Sequence, residues 1–160
     1  MNVTIRPLEE SDAYTSVNWR NDPEVFKYTG TVYQDVINVN TELEWIRKVI
    51  ANSKDYRCAI LADGVYVGNI YLTDIDGGIA HYHIFIGNKN YWGKGVAKSA
   101  SDLILQYGFK SLNLNKILLR VRKHNCRAII LYEKLGFKAV NVLDDWITMV
   151  ITKHDYEDGK

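Results

Sequence analysis

The chain has 160 residues, 47% hydrophobic and 24% charged, a composition of ordinary globular domains that excludes disordered and collagen-like classes. Lys and Arg number 20 against 19 Asp and Glu, for a net charge of +1, so no global field draws the chain to nucleic acid or an acidic membrane, and any anion site must be local. One domain over residues 1–160 is expected.

Residues 2–6 alternate as a short strand that Pro7 should stop. Ser11 or Asp12 can cap a helix running to about Trp19, which Asn21, Asp22 and Pro23 break. Residues 27–40 read as irregular. A second helix is predicted from Thr41 to about Ala51, with Thr41 as cap, Glu44 three residues on, and Leu43, Ile46, Val49 and Ile50 on one face. Residues 56–87 form an antiparallel meander punctuated by Asp63-Gly64 and Asp76-Gly77-Gly78, since an Asp-Gly pair between alternating segments is a strong hairpin signal. The period then changes to 3.6 for a helix over about 95–111. KILLRVR follows as a strand, Asn125 to Leu135 as a helix stopped by Gly136, and a final strand pair closes the chain. The fold class is α/β (α+β), a mixed, mostly antiparallel sheet flanked by helices.

Cys58 and Cys126 lack a framework spacing, which fits a reduced cytoplasmic protein. The N-terminal segment lacks the pattern of a signal peptide, and no apolar run approaches the roughly 18 residues that would span a bilayer.

The most informative segment is IGNKNYWGKGVAKSA, residues 86–100, which joins a strand to a helix. Gly93 and Gly95 let backbone N–H groups approach a ligand, and the helix start adds unpaired donors and a positive dipole end, together a phosphate cradle. It is not a Walker loop, because Gly95 stands where a magnesium-binding Ser or Thr is required. Nor is it a dinucleotide loop, because Lys98 stands where the third glycine belongs.

This segment resembles the acyl-CoA loop of the GNAT N-acetyltransferases, Q/R-x-x-G-x-G/A, read here as Trp92-Gly93-Lys94-Gly95-Val96-Ala97 with a departure at Trp92. HNCRAIILYEKLGF, residues 124–137, is similar to the family's N-x-x-A-x-x-x-Y-x-x-x-G-F segment at Asn125, Ala128, Tyr132, Gly136 and Phe137. The opening TIRPLEESDA, WRNDPEV and the YWGKG form look like the branch of ribosomal-protein and small-molecule acetyltransferases. The resemblance implies an acyl-CoA N-acyltransferase fold and acetyl-CoA as cosubstrate, with no metal. It places the CoA diphosphate on backbone amides from about Gly93 to Lys98, and the pantetheine arm along Ile84, Phe85 and Ile86 at the end of the fourth strand. Asn125 would bond that arm or cap its helix. Arg120, Arg122, Lys123 and Arg127 would meet the 3′-phosphate or form a solvated edge.

Acetyl transfer needs a neutral amine, a donor for the developing oxyanion, and a hydrogen bond or proton for the departing thiolate. By resemblance a backbone N–H near Ile86 serves the oxyanion and Tyr132 the thiolate. Where relatives carry a glutamate on the fourth strand this chain has His81, and His83 shares its face by alternation. Either imidazole could take the ammonium proton. The acceptor pocket is expected from Trp19 to Trp45, with Tyr28 and Tyr33, plus the last strand pair. An amino sugar, free or nucleotide-linked, and a protein N-terminal amine both fit, and homodimers are common in such enzymes. Two rival readings weigh less. A metal site on His81 and His83 with His124 or Cys126 lacks a third ligand at usable spacing, and a nucleic-acid binder using residues 116–127 lacks a recognised motif.

Overall fold

In the computed structural model the described residues are 1–25 and 36–159, so the expectations for residues 27–35, including Tyr28 and Tyr33, lie outside them. Seven strands make one sheet: β1 (Val3–Pro7), β2 (Tyr56–Ala62), β3 (Val65–Asp76), β4 (Ile79–Ile86), β5 (Lys116–Arg122), β6 (Lys138–Leu143) and β7 (Trp146–Thr152). Their order across the sheet is β1-β2-β3-β4-β5-β7-β6. Every neighbouring pair is antiparallel except β4 and β5. The helices are α1 (Ala13–Arg20), α2 (Val39–Ile50), α3 (Val96–Gln106), α4 (Cys126–Leu135) and α5 (Lys153–Asp158).

Strand alternation sorts the core onto two faces. Cys58, Ile60 and Ala62 of β2 join Ile70, Leu72 and Tyr82 in the main core with Val96, Ala100 and Ile104 of α3. Ala59, between them in sequence, packs instead with Ile46 of α2 and Ala13 of α1. Helices α1 and α2 therefore cover one face and α3 and α4 the other.

Three boundaries differ from expectation. Pro7 belongs to β1 and pairs with Cys58; the strand lies at the sheet edge, where proline's missing donor is tolerated. The cap of α2 is Asn38, whose side chain accepts the Thr41 N–H at 2.9 Å, so the helix starts two residues before Thr41. The predicted helix over 95–111 changes at Tyr107 into one π-helical turn to Ser111, which buries Phe109. Helix α5 was unforeseen: Thr152 caps it by accepting the Asp155 N–H at 3.1 Å, and Tyr156 stacks on Phe109 at 4.9 Å between centroids. Among the described residues no helix is long and apolar enough to cross a membrane.

Candidate active site

Strands β4 and β5 pair only at Ile79↔Lys116, Ala80↔Ile117 and His81↔Leu118. Beyond that seam both continue without pairing to each other, and a cleft of about 920 Å³ opens between Tyr82–Ile86 on one side and Leu119–Val121 on the other. The β4 side is fixed by β3. Gly68 lies opposite Ile86, and a Cβ there would collide with the Phe85 carbonyl oxygen and come 3.0 Å from the Ile86 Cα. Both are backbone and neither can swing away. Gly68→Ala is therefore expected to push the end of β4 outward and cost about 1–3 kcal/mol, with CoA affinity falling alongside, read by thermal melting with and without CoA.

The loop to α3 closes one end of the cleft. Gly93 and Gly95 have positive φ, 72° and 81°. The N-caps of α2, α4 and α5 are satisfied by the side chains of Asn38, Asn125 and Thr152, but α3 starts at Gly95 with no side-chain cap. Its first N–H groups thus face the cleft at Gly95 to Lys98 without intrahelical acceptors. That is the arrangement a phosphate completes. With Gly93 and Gly95 as the motif glycines, the residue at the Q/R position is Asn90 rather than Trp92. Trp92 has its own task, donating its indole N–H to the Ile86 carbonyl at 2.8 Å and tying loop to strand. Of the expected cofactor contacts, Ile84, Phe85, Ile86, Trp92, Gly93, Gly95, Val96, Ala97, Lys98 and Asn125 line the cleft, and Lys94 does not. Lys98 is paired with Asp102 at 3.0 Å. Asn125 both lines the cleft and caps α4, accepting the Ala128 N–H at 3.4 Å. In the basic run, Arg120 and Arg127 line the cleft, whereas Arg122 lies over Trp146 and pairs with Asp145.

Tyr132 reaches the cleft from α4, edge-on to Tyr82 at 5.6 Å and to Phe137 at 6.1 Å. Burial pushes its phenol up to about 12. Tyr82 is sealed in the core and bonded to Ser101 at 2.6 Å. His83 and His81 share one face of β4, but only His83 lines the cleft; His81 sits back at the seam. The His83 Nε2 lies 3.1 Å from the Thr73 hydroxyl. His83 keeps an exposed surface, and the desolvation of its position in the cleft, followed by the Arg57 charge, lowers its pKa from the ordinary imidazole value. Among the described residues no three His, Cys, Asp or Glu side chains come together to hold a metal.

The opposite end of the cleft is a ladder of rings and guanidiniums. Arg20 lies 5.8 Å from Phe85 and 4.2 Å from Trp45; Arg57 lies 5.4 Å from Trp45 and 4.5 Å from Tyr71; Tyr71 stands 6.5 Å from His83. Each guanidinium has a carboxylate partner. Arg20 Nε donates to Glu42 at 3.3 Å, and Arg57 donates through Nε and Nη2 to Asp55 at 3.1 and 3.0 Å.

The acetyltransferase (GNAT) domain family model matches residues 2–138. The chain belongs to the GNAT acetyltransferase family. It is 34% identical over 138 residues to spermidine N(1)-acetyltransferase of Escherichia coli K12, covering 84% of this chain and 72% of the relative. It is 30% identical over 149 residues to an uncharacterized N-acetyltransferase, p20, of Bacillus licheniformis, covering 90% and 83%. The structure of spermidine N-acetyltransferase from Vibrio cholerae in complex with CoA and spermine superposes with a TM-score of 0.88 at 26% identity, covering 97% of this chain and 98% of that one. This GNAT protein is accordingly an acetyl-CoA-dependent N-acetyltransferase, and the uncapped start of α3 beside the splayed strands fits the cosubstrate's phosphates.

Sequence reasoning expected the acceptor pocket between Trp19 and Trp45, of which Arg20, Val25 and Trp45 line the cleft, and did not single out the cleft-lining Arg57, Tyr71, Thr73 and Asp55. These four lie on β2, β3 and the turn before β2, within what reads as plain meander. Pairing in register, Arg57↔Tyr71 and Tyr71↔His83, was the available signal, and it needs the strand register to be known.

Proposed function

We propose that the acceptor is a compact primary amine, an amino sugar either free or nucleotide-linked, with His83 taking its proton and Tyr132 hydrogen-bonding the departing thiolate. The observation that carries this reading is the acceptor end of the cleft. It presents Trp45 and Tyr71 with Arg20 and Arg57, and among the described residues its carboxylates are Asp55 and Asp74. Asp55 is already engaged by Arg57 and by the Asp74 N–H at 3.0 Å. Among the described residues a polycation would thus find the Asp74 carboxylate beside an already neutralised Asp55 rather than an acidic cluster, whereas flat aromatic faces and balanced polar edges suit a sugar ring.

Acetyl-CoA supplies an activated acyl group, and the chain's residues do the rest. The α3 amides from Gly95 to Lys98 would hold the diphosphate, and the end of β4 from Ile84 to Ile86 would hold the pantetheine arm. The ammonium form of the acceptor cannot attack, and even a neutral amine must shed a proton as the amide forms, so a proton acceptor at the cleft serves the reaction. The His83 Nε2 is taken by Thr73, leaving Nδ1 for the amine. A pKa below the ordinary imidazole value keeps that nitrogen free at neutral pH, and activity falls only as pH drops through the lowered value. His83→Gln is expected to reduce kcat about 100-fold and to erase this acidic limb, with stabilisation by CoA unchanged.

A second reading, polyamine acetylation, is favoured by the similarity to the spermidine enzymes. Thiol release measured with amino sugars, nucleotide-linked amino sugars, spermidine, spermine and N-terminal peptides separates them. The amino-sugar reading predicts kcat/KM at least about tenfold higher for a sugar; a higher value for spermidine overturns it, and one for a peptide points to N-terminal acetylation. A Vibrio cholerae relative is dodecameric, which supports assembly of this chain into multimers.

A further inference from the structure

Arg57, Tyr71 and His83 are consecutive members of one cross-strand row: Arg57 on β2 lies opposite Tyr71 on β3, and Tyr71 opposite His83 on β4. Directly opposed residues on one sheet face touch or nearly touch, so what fixes the first is transmitted to the third. Arg57 is held firmly. Its Nε and Nη2 both donate to Asp55 Oδ2, whose other oxygen accepts the Asp74 N–H. The Asp55 and Arg57 side chains are 5% and 16% exposed, and the guanidinium lies 4.5 Å from the Tyr71 ring centre. On its far side the Tyr71 ring stands 6.5 Å from the imidazole, and its hydroxyl accepts from Asn69 at 2.9 Å.

We propose that Arg57 is a positioning residue for His83, its guanidinium clamped by Asp55 and laid on the Tyr71 ring against which the imidazole packs. The inference rests on the proton-accepting role given to His83 above. The row does two things. It backs the imidazole with a ring held at its hydroxyl by Asn69 and at its face by Arg57, with Thr73 on the Nε2 side. It also places a permanent positive charge behind the histidine, paired closely enough with Asp55 to be tolerated in a packed site.

The charged groups around the ring act in both directions. Arg57 and His81 oppose a proton on His83, while Asp74 and Asp55 favour one. Removing the Arg57 charge also releases Asp55 from its partner, so both changes push the same way. Removing the Asp55 charge pushes the opposite way.

The test is an NMR titration of the four histidines in the full chain, with His83 assigned by its absence in His83→Gln, run beside pH profiles of kcat. Arg57→Gln is expected to move the His83 midpoint to higher pH, Asp55→Asn to lower pH, and the acidic limb of kcat to follow each. Arg57→Lys, which keeps the charge and loses the fork, is expected to hold the midpoint near wild type while kcat falls by a larger factor than KM for the acceptor rises. It also serves as the folded control if the glutamine variant fails to fold. A His83 midpoint unmoved by Arg57→Gln overturns the inference, as does a kcat limb that stays while the midpoint moves. If His83→Gln abolishes turnover in the same experiment, the failure is confined to Arg57. If His83→Gln turns over normally, the proton-acceptor reading falls first.

Discussion

Tyr132→Phe is expected to lower kcat by about 10- to 100-fold, the worth of one hydrogen bond to a developing charge, while leaving stabilisation by free CoA unchanged. The magnitude follows from the phenol's surroundings. Burial raises Tyr132 to about 12, so full proton transfer to a thiolate whose acid lies near 8.5 would run uphill by about 5 kcal/mol. A hydrogen bond to the thiolate carries no such penalty. Phenylalanine preserves the packing against Tyr82 and Phe137, so the loss belongs to the hydroxyl. Thiol release and thermal melting together check it: unchanged kcat removes Tyr132 from the chemistry, and lost CoA stabilisation assigns it to binding instead.

Glu42→Ala is expected to destabilise strongly, by about 3–5 kcal/mol, because it removes a buried carboxylate to which both a hydroxyl and a guanidinium donate. Glu42 is 1% exposed and receives both the Ser16 hydroxyl, at 2.7 Å, and Arg20 Nε. The pair joins α1 to α2 beneath Trp45, so the acceptor wall should loosen as well. Denaturant unfolding reads the first effect, and KM for the acceptor rising more than KM for acetyl-CoA reads the second. A loss below about 1 kcal/mol would place the pair among surface-like bridges.

The cofactor side was legible because its signal is local. Glycines needing positive φ, a helix start and a capping asparagine are written within contiguous segments, and Gly93, Gly95 and Asn125, all lining the cleft, were read from them. The meander was legible from Asp63-Gly64 and Asp76-Gly77-Gly78, whose turns set strands of alternating character. The other end of the cleft was read poorly because Arg57, Tyr71 and His83 lie 14 and 12 residues apart in sequence and meet only through register. Choosing between His81 and His83 needed the length of the β4–β5 seam, which no periodicity encodes. Helix α5, six residues long, was hidden by its brevity, although Thr152 three residues before Asp155 was a capping signal.

Strand β4 is a partition as well as a wall. Its even positions, Tyr82, Ile84 and Ile86, pack toward α3 and α4, while Phe85 packs toward Trp19 and Val25 and His83 toward Tyr71. The two faces of the strand are thus written on alternate letters of one word. A one-residue slip of β4 against β3 would exchange the two sets at a stroke, so the Gly68↔Ile86 to Thr73↔His81 register is what keeps His83 beside Tyr71 and Ile84 in the core.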